Sequence, residues 1–290
     1  MTTLEARFNN LLNKLSAQNG TYKAGLTNIR CLRISQTGSK QKKYWSACLA
    51  FVSQGNKEVY TEEDKFDIKP STFTVTPIAL PVVSRISLAS EKEPFLCLLI
   101  DFDLNIFIEM AAKIPMDIDT KQNVQALFQG SINNRLLDSC VRLLEIINEG
   151  ELDILGTLVV KEICYLVLKS DCGSQLASFC FSGTKLHRIY QAVHEINTDL
   201  KTELTVTELA KNSGMSRSDF FKYFRQATSM SPVQYRQKLR LLEAKRLIQE
   251  NKLRVERAAY EVGYKSASQF SREFSRMFGV PPISYLKRDM

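Results

Sequence analysis

The sequence predicts an α+β protein in two parts: an N-terminal small antiparallel β-barrel or jelly-roll-like domain with helices, and a C-terminal all-α domain with two helix-turn-helix units. Three observations lead there. Short β-branched and aromatic runs, punctuated by Gly, Pro and Asn, fill the first third of the 290 residues. A pattern of aromatics, glycine and proline occurs twice near the C-terminus, fifty residues apart. Charge is uneven as well. From Thr184 onward there are 20 Lys or Arg against 11 Asp or Glu, whereas the first 183 residues carry 19 against 20. A near-neutral module is thus joined to a basic one, which suits a polyanion or, more plainly, a well-solvated helical surface.

The chain opens on "MTTLEARFNNLLNKLSAQNG", an amphipathic helix containing acids. It is not a charged start followed by an apolar core, so a secretory signal is not expected. The runs "TNIRCLRIS", "YWSACLAFVS", "TFTVT", "PVVSRISLAS" and "FLCLLIDFD" read as strands of the barrel. A ligand pocket there would be lined by residues such as Trp45, Phe51, Phe73 or Phe95, which serve equally as packed core. Two helices follow. "NNRLLDSCVRLLEIIN" places Leu136, Cys140, Leu143 and Ile147 on one face, and "ELDILGTLVVKEICYLVLKS" is nearly apolar. Either they cover the barrel, or one stripe over 133–169 pairs two copies as a homodimer. "SDCGSQLASFCFSGT", residues 170–184, reads as a linker. The domains are thus 1–169 and 185–290.

In the last part, Phe224, Pro232 and Tyr235 lie at the same offsets as Phe274, Pro282 and Tyr285. Phe220 and Phe270 precede the leading Phe by one helical turn. Ala210 and Gly214, then Ala259 and Gly263, stand upstream. Each copy reads as a short helix, a glycine turn, a serine cap (Ser216, Ser266) and a second helix, the plan of a helix-turn-helix. In the first second-helix, Phe220 and Phe224 face inward, and Ser218, Phe221, Lys222 and Arg225 face out. In the other, Phe270, Phe274, Met277 and Phe278 face inward, opposite Ser268, Gln269, Arg272 and Arg276. A major groove admits one such helix. There Gln suits adenine, Arg suits guanine, and an apolar group such as Phe221 suits a thymine methyl. Packing against a neighbouring helix is the other reading of Phe221. Arg217, Arg225, Lys265 and Arg276 are the phosphate candidates. Between the copies "SPVQYRQKLRLLEAKRLIQEN" forms a rod of roughly 27 Å with Tyr235, Leu239 and Leu242 recurring at helical spacing. Before them, "TKLHRIYQAVHEINTDL" is amphipathic.

The residues "LAKNSGMSRSDFFKYF", "SPVQYRQKLRLLEAKRLI" and "VGYKSASQFSREFSRMFGVPP" resemble the AraC/XylS family of bacterial transcription regulators. The N-terminal "FVSQGNKEVY", "PIALPVVSRISLASEKEPFLCLLIDFD" and "RLLEIINEGELDILGTLVVKEICYLVL" are similar to the regulatory domain of one AraC-type subfamily. The resemblance implies a seven-helix DNA-binding domain, with Ser218, Phe221, Lys222, Ser268, Gln269 and Arg272 facing bases. It also implies a dimer, an activator's contact with RNA polymerase, and an unknown small-molecule effector. Ser229 departs from the family pattern where a Gly usually ends the first recognition helix, and Ala258 where a larger aliphatic is usual.

Other classes find little support. The only histidines, His187 and His194, lie outside the barrel region, so no metal is expected there, and no nucleophile elbow or phosphate-cradling Gly loop suggests an enzyme or a cofactor. No apolar run reaches the ~18–20 residues of a membrane span. Seven irregularly spaced cysteines suit a cytoplasm. Cys172 and Cys180, near the linker, are the candidates for a redox or electrophile sensor. A basic helical module that binds RNA or protein is the alternative from another class. The repeat favours duplex DNA.

Overall fold

The computed structural model describes residues 3–24, 28–61, 64–115, 127–202, 205–249 and 251–286, with the backbone alone for Lys42 and Asp153. Two compact units divide at His187 and Arg188.

The first unit opens with α1 (Thr3–Leu15), which buries Phe8 and Leu12 one turn apart. Nine strands follow: β1 (Gly20–Lys23), β2 (Ile29–Ile34), β3 (Gln41–Trp45), β4 (Cys48–Gln54), β5 (Asn56–Tyr60), β6 (Lys65–Ile68), β7 (Thr72–Thr76), β8 (Leu80–Leu88) and β9 (Phe95–Asp101). After α2 (Leu104–Ala111) comes β10 (Phe128–Ser131). The strands form two antiparallel sheets, ordered β1-β2-β9-β4-β7-β10 and β3-β8-β5-β6. Among the described residues they do not close into a barrel; the jelly-roll-like expectation is the nearer one.

Sequence pattern explains the layers. In β4 all but the last residue are buried, so "CLAFVS" has no polar alternation. By contrast β8 alternates buried and exposed positions along most of its length, as expected of a strand with one wet face. Five strands that the sequence did not separate, β1, β3, β5, β6 and β10, are short, and β3, β5 and β6 carry Lys, Glu or Asp.

α1 packs on β2, β4 and β9 of the larger sheet, and the next long helix packs on α1. α3 (Asn134–Glu149) is capped by the Asn133 side chain, which accepts from Leu136 N–H at 2.9 Å, and ends on Gly150 in the left-handed region. Of the expected face it buries Leu136, Cys140 and Leu143 and leaves Ile147 half-buried, and it also buries Leu137, Val141 and Leu144. The single helix expected over "ELDILGTLVVKEICYLVLKS" is broken: Leu152–Gly156 is a π-helical turn and α4 (Thr157–Leu168) follows. Residues 170–184, expected to be a linker, are packed. They contain α5 (Gly173–Ala177) and bury Leu176, Ala177 and Phe179, whose ring meets Phe128 edge-on at 5.8 Å. The buried His187 ring donates from Nδ1 to the Phe179 carbonyl at 2.7 Å.

That packing removes the exposure that singled out Cys172 and Cys180. All seven cysteines are buried free thiols. Burial pushes the Cys172 thiol up and the Cys180 thiol up to about 12, so neither holds an appreciable thiolate near neutrality.

Candidate nucleic-acid interface

The second unit is helical throughout. α6 (Lys185–Thr198) enters it, followed by α7 (Val206–Asn212), α8 (Arg217–Thr228), α9 (Pro232–Gln249), α10 (Val255–Glu261), α11 (Ala267–Phe278) and a 3-10 turn at Pro282–Tyr285.

The duplication seen in the sequence is reproduced in the spacing of the aromatic rings at its centre. Phe220 and Phe224 lie 5.5 Å apart, and Phe224 meets Tyr235 edge-on at 5.5 Å. Fifty residues on, Phe270 and Phe274 lie 5.3 Å apart, and Phe274 meets Tyr285 edge-on at 5.6 Å. The four Phe rings are fully buried. Both turns use a glycine of positive φ, Gly214 at 61° and Gly263 at 92°. After each glycine the chain returns a backbone N–H to the alanine five residues back: Met215 to Ala210 at 2.9 Å and Tyr264 to Ala259 at 3.0 Å. Ala210 and Ala259 are buried at this crossing.

Caps set where each recognition helix starts. Ser216 accepts from Asp219 N–H at 3.1 Å, and Ser266 from Gln269 N–H at 3.3 Å. The full capping box lies one helix earlier, at Thr205 and Glu208, where sequence reasoning did not place it. Its signal, Thr-x-x-Glu before an apolar run, was present.

α9 joins the units and serves both. Of the residues expected on its buried stripe only Tyr235 is fully buried; Leu239 and Leu242 are half-buried. Leu241, Ala244 and Ile248 instead enter the second core with Ala258, Ala259, Phe270 and Phe274. A helix that packs two bodies on different sides cannot show one clean stripe.

With the aromatics turned inward, the opposite faces are left free. In α8, Arg217, Ser218, Phe221, Lys222 and Arg225 are exposed. So are Lys265, Ser268, Gln269, Arg272 and Arg276 on and before α11. Phe221 is 42% exposed and lines a shallow surface hollow with Val206 of α7, Arg217 and Ser218. Lys222 Nζ lies 5.5 Å from the Tyr223 ring centre. Neither Arg225 nor Arg272 forms an ion pair among the described residues.

One contact was invisible in the sequence. Gln269 Nε2 donates to Glu273 at 3.1 Å, and Tyr264 OH donates to the same carboxylate at 2.7 Å. Burial acts to raise the Glu273 pKa, but the hydrogen bonds from Tyr264, Gln237 and Gln269 outweigh it and hold the acid below its usual range. Burial, then that carboxylate, pushes the Tyr264 phenol up. The Gln269 amide is thereby oriented from behind.

Among the described residues no His, Cys, Asp and Glu cluster could hold a metal ion, and no helix is long and apolar enough to cross a membrane.

Comparison with known proteins agrees with this geometry. Residues 25–175 match the family described as AraC-type transcriptional regulator N-terminus, and residues 209–288 match a helix-turn-helix domain. The HTH-type transcriptional regulator YdeC of Bacillus subtilis is 29% identical over 103 residues, which are 36% of this chain and 35% of that protein. The lactose operon transcription activator of Staphylococcus xylosus is 30% identical over 97 residues, 33% of this chain and 35% of that one. The chain thus spans about a third of the length of these relatives. In fold, an apo form of ToxT from Vibrio cholerae matches with a TM-score of 0.61 at 13% identity, covering 91% of this chain and 98% of that one. ToxT with an unsaturated fatty acid bound matches at 0.56 and 12%, covering 93% and 97%.

Proposed function

Because the chain belongs to the family of AraC-type transcriptional regulators, we propose that it is a sequence-specific, duplex-DNA-binding regulator whose N-terminal unit responds to a small-molecule effector. The observation that carries this reading is the pair of recognition helices. Each rests on the same buried Phe-Phe-Tyr group and turns a polar, cationic face outward. Ser218, Phe221, Lys222, Ser268, Gln269 and Arg272 read base edges, and Arg217, Arg225, Lys265 and Arg276 hold phosphates. A non-regulatory basic module has no use for two groove-sized helices on one rod.

The domains we assign are 1–169, with the packed segment 170–184 attached to it, for sensing and dimerisation, and 185–290 for DNA. Fatty acid bound to a ToxT of similar fold supports a small-molecule effector here. The apolar stripe proposed to pair two copies over 133–169 narrows to Ile154, Leu155 and Leu158, which are exposed although α3 spends its own stripe inside the unit. Activation through RNA polymerase and a cytoplasmic location complete the reading; a relative named as a transcription activator supports the first.

The test is selection of bound sequences from a random duplex pool, followed by titration across salt. A consensus should emerge, and log K should fall with log salt. Removing Arg225 or Arg276 should flatten that slope by about one unit each, with similar loss on scrambled DNA. Recovery of a random pool would reject base reading.

A further inference from the structure

Lys57 is a cation in the wrong place for a surface strand. It shares the inward face of β5 with the fully buried Val59, while Glu58 between them points outward to Arg85 and Lys65. The irregularity beside it belongs to the partner strand: Asn56 pairs with Leu88 and Lys57 with Ile86, so β8 carries the extra residue, Ser87, and Lys57 keeps the face of Val59 by simple alternation.

What Lys57 faces is a cavity of about 230 Å³ within the first unit. Val52, Ile68, Phe95 and Leu99 line its apolar wall. Trp45 supplies a ring face 4.2 Å from Lys57 Nζ. No carboxylate meets the ammonium among the described residues. Arg30, which also lines the cavity, is paired with Asp101. The groups that bear on Lys57 electrostatically are Cys97 of β9, Lys43 of β3 and Cys48 of β4. Burial, ahead of these, pushes its pKa down to about 8, so near neutrality it is still mostly an ammonium.

A half-buried cation at an apolar cavity with no carboxylate partner is costly, and the cost is relieved by an anion supplied from outside. We propose that this cavity binds a small amphipathic monoanion, its headgroup on Lys57 with Lys43 nearby and its apolar body against Val52, Ile68, Phe95 and Leu99. Size limits the body: drug-sized ligands occupy sites of about 300 Å³ and more, so this one holds a compact ligand. The proposal rests on the sensing role assigned above and names the chemical class of effector.

Trp45 is the only tryptophan in the chain, so its emission reports the site alone. The experiment titrates the full chain with sodium octanoate, octyl sulfate and octan-1-ol, below their micellar range. Saturable binding of either anion, at least about tenfold tighter than the alcohol, is expected, and the tighter anion identifies the headgroup. In Lys57→Met, octanoate should weaken by about tenfold or more while the alcohol is unchanged. In the unmodified chain, octanoate affinity should fall as pH rises from about 7 to about 9.5, because the bound anion favours the protonated amine and must then recruit a proton. This second measurement does not depend on how the variant folds. Equal affinity for octanoate and octan-1-ol, a Lys57→Met chain that folds and keeps octanoate, or a flat pH profile would each overturn the proposal. DNA selection on the same preparation without ligand separates the two readings: a clear consensus with no octanoate site sinks the cavity assignment and leaves the regulator standing.

Discussion

The two helix-turn-helix units share a skeleton and differ at their faces. Lys222 of α8 and Arg272 of α11 occupy equivalent positions fifty residues apart, as do Ser218 and Ser268. Beside Lys222 stands the exposed ring of Phe221; beside Arg272 the corresponding residue is Ser271. Lysine is a mobile point charge, whereas arginine is a planar fork. Gln269 is held by Glu273, which Tyr264 holds in turn; α8 has Asp219 at the corresponding place, bound to its own cap Ser216 at 3.0 Å. Duplication has therefore kept the packing and let the faces diverge. The second helix-turn-helix presents directional hydrogen-bonding groups, and the first presents a mobile charge and an apolar ring.

If the skeletons are equivalent, damage to them should be too. Phe224→Ala and Phe274→Ala should each cost about 3–5 kcal/mol, since each empties a fully buried ring site, Phe224 between Phe220 and Tyr235 and Phe274 among Phe270, Phe278 and Tyr285. Urea unfolding of the full chain, followed by far-ultraviolet dichroism, reads this. A loss confined to one variant would mean that only one unit carries the stability of this region.

The faces should then part company. Arg272→Ala should cost about 1–3 kcal/mol on the selected sequence and relax base preference at one position. Phe221→Ala should cost less, about 1 kcal/mol, and its loss should vanish when cytosine replaces a contacted thymine, because only thymine offers the methyl group. Competition binding against single-base variants measures both. A uniform loss for Arg272→Ala across all duplexes would move that residue from reading to phosphate holding.

How much of this could be read beforehand follows from range. The repeat was legible because its parts are local: Phe pairs one turn apart, a glycine before a serine cap, a proline heading the next helix. The strands rich in Val, Ile and Phe were legible for the same reason. β5 was not, because "NKEVY" owes its strand to pairing with β6 and β8, and only that pairing decides that Lys57 and Val59, not Glu58, face inward. The linker expectation at 170–184 failed in the same way. Its Gly and Ser content suggests a loose connection, but Phe179 is buried through a partner at Phe128, which no local pattern announces. In the interface, exposure of the reading residues followed from helical period, while the Tyr264–Glu273–Gln269 chain needed the turn's geometry to bring Tyr264 onto α11.

The smallest expected difference concerns how the recognition helices end. Both stop in the left-handed region: Ser229 at φ 55° and Gly279 at φ 75°. The closing hydrogen bonds are alike, Ser229 N–H to Arg225 at 2.7 Å and Gly279 N–H to Ser275 at 2.8 Å. What precedes them differs. Thr228 is buried and its hydroxyl bonds the Phe224 carbonyl at 2.8 Å, whereas Phe278 places its ring 4.4 Å from Phe274. A side chain in this conformation costs about 1–2 kcal/mol, offset in part by the chain entropy that glycine adds to the unfolded state. Ser229→Gly should therefore stabilise by about 0.5 kcal/mol, and Gly279→Ser should destabilise by about 0.5–1 kcal/mol. Space does not confuse the second value, since a Cβ at Gly279 meets nothing within 4 Å. The readout is the shift in urea midpoint at unchanged slope. If Ser229→Gly destabilises instead, the Thr228 bonds, and not the backbone conformation at 229, decide where the first recognition helix stops.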